Sequence, residues 1–255
     1  VGYILIYLNK AEISVIMCSI EKHGKIFILS LTGEDEHRLN PTFIGEILQS
    51  LRKVKSRSEP DSVLVTVSNG KFFSNGFDLP WAQTLSGGSK VKSMELLHQM
   101  VESFKQVAIE LITLPMPTIA AINGHAAAAG MMLALCHDYL LMRSDKGVFY
   151  MPEVDLGLAM PDYFAALFRE KIASFEIRRD LMLGGKKMKG EAAKKAGFVD
   201  WVYDSEEKVV DAALALAEKL SKKKWEGENY KVIRMSLLPA SCGVLGIPTF
   251  PISKM

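Results

Sequence analysis

The sequence predicts an α/β protein built on a mostly parallel sheet. Short apolar runs rich in β-branched residues alternate with amphipathic stretches at helical spacing. One passage, Thr118 to Met142, has the strand, helix, strand spacing of a crossover between parallel strands. A length of 255 residues, 49% hydrophobic and 24% charged, suits one large domain or a core with a small appendage, not a disordered or fibrous chain.

In chain order, Val1–Ile16 is apolar but interrupted by Asn9, Lys10 and Glu12. It lacks the basic start and small-residue cleavage site of a signal peptide. Met17 opens a segment that reads like a normal protein start, so residues 1–16 are set apart as an extension outside the fold. Residues 17–200 are the expected core, 201–252 a helical C-terminal region and 253–255 a separate signal. Cys18–Glu21 and Ile26–Leu31, split by His23-Gly24-Lys25, read as a hairpin or two successive strands. Asn40-Pro41 opens a helix whose apolar residues (Phe43, Ile44, Ile47, Leu48, Leu51, Val54) recur every three or four positions. Ser62–Val67 is a buried strand by its β-branched content, and Ser68–Asp78 a polar turn. Gly87-Gly88-Ser89 precedes a long amphipathic helix from about Val91 to Leu114, stopped by Pro115 and Pro117. Thr118–Ile122 is the next strand. Asn123-Gly124-His125 turns it into the helix Ala128–Cys136, and Tyr139–Met142 returns as a strand. The segment Phe149–Glu153 and helices near Asp162–Lys171 and Phe175–Leu183 follow. From Lys186 the pattern is helical, with one strand-like piece at Phe198–Tyr203.

The net charge of +2 predicts no basic groove for nucleic acid. No apolar run reaches the length of a membrane span. Cys18, Cys136 and Cys242 are few, far apart and odd in number, which predicts reduced thiols rather than disulfides or a zinc site. The five histidines add no metal-ligand spacing, so no metal is expected.

Two loops carry the chemistry. Lys71-Phe72-Phe73-Ser74-Asn75-Gly76-Phe77-Asp78-Leu79 and Asn123-Gly124-His125-Ala126-Ala127-Ala128-Ala129-Gly130 each follow a buried strand and place small residues beside a helix start. Small residues let a ligand approach the backbone, and free N–H groups at a helix start point outward. Two such donors on one oxygen form an oxyanion hole. Gly-rich strand-to-helix turns are also common as plain structure.

The order KFFSNGFDL, PTIAAINGHAAAAGMMLALCHDYLLM, FYMPEVDLGL, with the later EAAKKAGFVD, resembles the crotonase (enoyl-CoA hydratase/isomerase) family over roughly residues 18–240. The NGFDL wording and the C-terminal tripeptide look closest to the peroxisomal Δ3,Δ2-enoyl-CoA isomerases of plants. The resemblance implies a ClpP-like spiral of ββα units with a helical C-terminal part, packed on the core or on a neighbour. It also implies a homo-oligomer, trimer or hexamer. The implied activity moves a cis or trans 3-enoyl-CoA double bond to the trans-2 position in fatty-acid β-oxidation, through a thioester enolate. No cofactor is implied, because the acyl-CoA substrate brings its own CoA.

Residue by residue, the resemblance implies oxyanion donors at the backbone N–H groups of Phe77 and Ala129; alanine stands at Ala129 where the family usually has glycine. It implies a CoA path along His37, Arg38, Leu39 and Asn40 and along Ser74, Asn75 and Gly76, with Asp78 capping the turn before Leu79. Arg38 is expected either on a CoA phosphate or as an exposed arginine without a ligand. Family hydratases carry two glutamates. Glu153 keeps one, while Met132 occupies the position of the other and is expected to make the acyl pocket drier. Hydration needs water activated between two carboxylates, whereas moving a double bond needs one base that removes a C2 proton and returns it at C4. Glu153 alone suffices for that. Asp155 and Asp162 are expected as helpers or as solvated or capping carboxylates, and His125 as a packing residue. Met131, Met132, Met151 and Met160 line the acyl tunnel or fill the core. Another crotonase chemistry, such as a hydratase, and a catalytically idle CoA-binding subunit are the alternatives. Ser253-Lys254-Met255 differs from the peroxisomal address Ser-Lys-Leu in its last residue and is read as the handle of the peroxisomal import receptor, or else as a plain tail.

Overall fold

The computed structural model describes residues 17–33 and 36–248. The predicted extension 1–16 and the tripeptide 253–255 lie outside the described residues. The described chain enters as an antiparallel hairpin, β1 (Cys18–His23) and β2 (Ile26–Leu31). Gly24 makes the turn at a φ of 59°, a conformation open to glycine without a Cβ penalty. Helix α1 (Pro41–Ser56) follows, capped by Asn40, whose side-chain oxygen accepts the Phe43 N–H at 3.0 Å.

Three strand pairs then repeat one plan. They are β3 (Val63–Ser68) with β4 (Phe72–Ser74), β5 (Thr118–Ile122) with β6 (His125–Ala127), and β7 (Tyr139–Arg143) with β8 (Val148–Tyr150). Helices α2 (Leu79–Leu85) and α3 (Lys90–Ile112) lie after the first pair, and α4 (Ala129–Leu135) after the second. Helices α5 (Glu153–Leu156), α6 (Asp162–Lys171) and α7 (Phe175–Met182) lie after the third. The chain closes through β9 (Met188–Lys189), α8 (Gly190–Lys195), β10 (Trp201–Tyr203), α9 (Glu206–Leu220), α10 (Gly227–Leu237) and α11 (Pro239–Leu245). The first strand of each pair enters a six-stranded sheet ordered β1-β2-β3-β5-β7-β10, and the second enters a four-stranded sheet ordered β4-β6-β8-β9. Apart from the hairpin and the β8–β9 edge, all pairings are parallel. This is the spiral of ββα units that the family resemblance implies.

Strands buried on both faces need a cover on each side. Phe43, Ile44, Ile47 and Leu51 of α1 and Phe104, Val107 and Leu111 of α3 pack in the larger core with Leu29, Leu31, Leu64 and Ala120. The opposite face (Val63, Val65, Ile119, Ala121, Leu141) is covered by Val209, Ala213, Ala217 and Leu220 of α9. Helix α9 of the C-terminal part therefore packs on the sheet of its own chain.

Two local expectations are corrected. The polar turn predicted over Ser68–Asp78 contains β4, and the turn predicted at Asn123-Gly124-His125 ends in β6, so α4 starts at Ala129 rather than Ala128. Strands of three residues are too short to show a period.

Candidate active site

The site is assembled by β4, β6 and β8. They pair in parallel, with Phe72 opposite His125, Ala126 opposite both Ser74 and Phe149, and Ala127 opposite Tyr150. Parallel neighbours end side by side, so the segments after them, Asn75–Asp78, Ala128–Ala129 and Met151–Glu153, meet at one edge.

The first two segments touch. A Cβ on Gly76 would lie 2.9 Å from the Ala127 oxygen and the Ala128 Cβ, and 3.2 Å from the Ala129 nitrogen. With φ at 76° as well, only glycine lets the loops close this far. Leu39 clamps the first loop from behind: its N–H donates to the Gly76 oxygen at 2.8 Å, and its oxygen accepts from Asp78 at 3.2 Å. Asp78 then caps α2, accepting the Trp81 N–H at 3.0 Å. Ala128 adopts φ 49° and ψ −126° while its own N–H donates to Tyr150. That turn swings the next peptide out of the strand ladder. Among the described residues, the N–H groups of Phe77 and Ala129 are given to no acceptor. The positive φ falls on Ala128, not on Ala129.

Glu153 opens α5 and is 9% exposed, with no acceptor or donor for its Oε2 among the described residues. Burial pushes its carboxyl up to about 7, against a small lowering by its own backbone N–H. It shares a cavity of about 640 Å³ with Phe77. Leu97, Val101, Leu158, Met160 and Phe164 make the wall apolar, while His98, Glu102, Lys105 and Asp162 stand at its border. The Phe77 ring is held by Phe164, stacked at 6.3 Å and 14°, and by the edge of Phe104 at 5.7 Å.

The remaining predicted residues sit around this centre. Arg38 borders a neighbouring cavity of about 460 Å³ with Asn40 and Asp78, and its guanidinium pairs with Glu36 at 2.5 Å. Asn75 is half-buried, donating to Glu36 at 2.9 Å and accepting from the Tyr150 hydroxyl at 3.2 Å. Hydrogen bonding by Asn75, followed by the charge of Arg38, holds the Glu36 carboxyl below its usual range. Leu79 is half-buried against the core. Leu39 and Ser74 are fully buried, and the Ser74 hydroxyl donates to the His37 oxygen at 2.8 Å, so both brace the loop from inside. Met132, 1% exposed, belongs to the core and does not border the cavity; Met131 and Met151 are buried with it, and of the four methionines only Met160 lines the wall. All seven residues of α4 are buried, Met132 among them. Asp155 is exposed and lies outside the lining, whereas Asp162 borders it. His125 packs edge-on to Phe72 at 5.1 Å, away from the cavity.

Sequence reasoning missed the wall supplied by α3 (Met94, Leu97, His98, Val101) and by Val244 of α11. The former occupies the mixed flank of an amphipathic helix, which reads as a solvated face. Nothing in the local sequence brings α11 back over the site.

Comparison with known proteins agrees with the fold. The family model described as enoyl-CoA hydratase/isomerase matches residues 28–230. A protein named enoyl-CoA delta isomerase 2, peroxisomal, of Arabidopsis thaliana is 59% identical over 91% of this chain and 97% of its own length. Enoyl-CoA delta isomerase 3 of the same plant is 54% identical over 91% of this chain and 96% of its own. Among solved structures, a probable enoyl-CoA hydratase of Mycobacterium tuberculosis superposes with a TM-score of 0.78 at 21% identity, covering 90% of this chain and 92% of its own. On the match over residues 28–230, the identity to these relatives and the spiral of paired strands, this chain belongs to the enoyl-CoA hydratase/isomerase (crotonase) family.

Proposed function

We propose that this enzyme is a peroxisomal Δ3,Δ2-enoyl-CoA isomerase that converts cis- or trans-3-enoyl-CoA into the trans-2 isomer in fatty-acid β-oxidation. The observation that carries this reading is a single buried carboxylate, Glu153, facing an apolar cavity with one oxygen unpartnered. The names of its Arabidopsis relatives support the activity and the peroxisome.

The thioester carbonyl accepts hydrogen bonds from the Phe77 and Ala129 N–H groups, which stabilise the negative charge that forms on its oxygen. Glu153, a stronger base for being desolvated, removes a C2 proton. The electron pair delocalises over C2, C3 and C4 as a dienolate. Glu153 then returns the proton to C4, leaving the double bond conjugated with the thioester. CoA enters with the substrate, and no separate cofactor takes part. Its phosphates run along Arg38 and Asn75, with Leu39, Ser74, Gly76, Asp78 and Leu79 shaping that wall through the backbone. Met132, at the position of the second hydratase glutamate, lies in the core and offers no carboxylate.

Turnover of a 3-enoyl-CoA, followed by conjugation of the product, tests the reading. Glu153→Gln should bind acyl-CoA normally and lose most turnover; full activity in that variant would exclude the mechanism. Asp162, a second carboxylate at the cavity border, favours a hydratase instead. Efficient hydration of 2-enoyl-CoA by the wild type would establish that second reading.

The exposed side chains of Ile233 and Leu237 on α10 and of Phe175 and Leu183 beside α7 support a homo-oligomer, trimer or hexamer. Light scattering on the purified chain decides it. A reporter carrying the last ten residues should enter peroxisomes through Ser253-Lys254-Met255 and stay diffuse without them. Diffuse signal for the intact tail rejects the address.

A further inference from the structure

The strands that carry the active-site segments at one end also bring three loops together at the other. Lys71 precedes β4, Asn123 and Gly124 precede β6, and Lys146 and Gly147 precede β8. These loops are in contact. The His125 N–H donates to the Lys71 oxygen at 2.9 Å, and Cβ atoms added at Gly124 and Gly147 would lie 2.2 Å from the Lys71 oxygen and 3.2 Å from the Gly124 oxygen. They enclose a cavity of about 630 Å³ bordered by Lys71, Asn123, His125, Arg143, Lys146 and Glu206.

The charge in this cavity is unbalanced. Arg143 is already committed to Asp145 at 2.7 Å and to Glu206 at 3.4 Å, so the one lining carboxylate is taken. Among the described residues, neither the Lys71 nor the Lys146 ammonium is in ion-pair contact with a carboxylate, although Lys71 acts at longer range on Glu36. Lys187, over the Tyr150 ring at 5.3 Å, adds a further positive charge near His125. Two polar atoms here are also buried without a partner: Nδ2 of Asn123, a side chain 0% exposed, and Nδ1 of His125. The Asn123 oxygen is used by the Ser68 hydroxyl, which leaves the amide nitrogen as an orphan donor. A buried donor without an acceptor is costly, and one beside cations that lack a contact ion pair calls for an acceptor that carries negative charge.

We propose that this cavity is a binding site for a phosphate-class oxyanion, distinct from the acyl-CoA cavity and lying at the opposite ends of β4, β6 and β8. The Asn123 amide and the His125 Nδ1–H donate to the anion, and Lys71 and Lys146 neutralise it. The space is far larger than one phosphate group, so either free phosphate or the phosphate of a monoester fits the same donors. The proposal does not rest on the isomerase reading.

The test is calorimetric titration of the full chain with inorganic phosphate and, in a second arm, ribose 5-phosphate. Both are run at fixed ionic strength with and without saturating acetyl-CoA. Saturable binding is expected in at least one arm, unchanged by acetyl-CoA and weakened by about tenfold or more in Lys71→Ala/Lys146→Ala. Tighter binding of ribose 5-phosphate assigns a monoester, and equal binding assigns free phosphate. Lys146→Ala alone should leave turnover of 3-enoyl-CoA unchanged. The proposal is overturned if neither arm binds above a chloride control, if the double variant binds as the wild type does, or if acetyl-CoA displaces the anion.

Discussion

Glu153, the proposed base, has a strength set by where it sits. In the unfolded chain its carboxyl titrates near its ordinary 4.5, and in the folded protein near about 7. Between those values the folded state keeps a proton that the unfolded state has lost, so this residue lowers stability progressively as pH rises through the window. Glu153→Gln removes that penalty. Its stability relative to wild type should therefore improve by about 2–3 kcal/mol between pH 5 and pH 8, read from urea unfolding at both values. The same ionisation should appear in catalysis, with kcat/KM rising through an apparent value near 7 as the base loses its proton. A profile flat from pH 5 to 9 would remove Glu153 from the role. Ala128 is strained in a different way. A side chain at φ 49°, ψ −126° costs about 1–3 kcal/mol, while glycine there costs only its extra unfolded-state entropy, about 0.5–1 kcal/mol. Ala128→Gly should raise stability by about 1 kcal/mol and keep the turnover. A fall in the urea midpoint would show that the Ala128 methyl packs more favourably than its backbone is strained.

At the scale of elements, Arg234 ties α10 to the end of α3. Helices end with carbonyls that lack partners. The Arg234 guanidinium donates to the oxygens of Leu111, Ile112, Leu114 and Met116 and binds both oxygens of Asp138 at 2.6 Å. Asp138 in turn accepts the Thr118 N–H at 2.9 Å, so the start of β5 depends on the same charge. Arg234 is 4% exposed, and burial disfavours its charge while Asp138 sustains it. Arg234→Ala should cost about 3–5 kcal/mol by removing the guanidinium paired with Asp138. Asp138→Ala added to it should cost much less than the sum of the two single changes, measured as a double-mutant cycle. Additive losses would mean the two residues act independently.

Across the whole molecule, the sequence was most legible where one pattern runs long. The stripe of α1, the β-branched runs of β3 and β5 and the prolines after α3 each reveal an element without its neighbours. The pieces that make the site were legible only as motifs. β4, β6 and β8 are three residues each, and what makes them strands is their pairing with one another. Glu153, Phe77 and Ala129 were located by resemblance, whereas the α3 wall and the inward course of Met132 depend on packing that no local spacing records. The two-ended use of β4, β6 and β8 was not legible at all, since Lys71, Asn123 and Lys146 share no motif.

The unpartnered oxygen of Glu153 has a consequence for where an isotopic label goes. In the proposed mechanism a deuteron taken from C2 rests on a carboxyl that lies 9% exposed in an apolar wall, its Oε2 without a hydrogen-bond partner among the described residues. Return to C4 then competes with a slow leak to solvent. A substrate deuterated at C2 should yield product in which much of the label has moved two carbons along the same molecule. The fraction retained, weighed by mass spectrometry, would measure how tightly the bound acyl chain seals that carboxyl from the bulk.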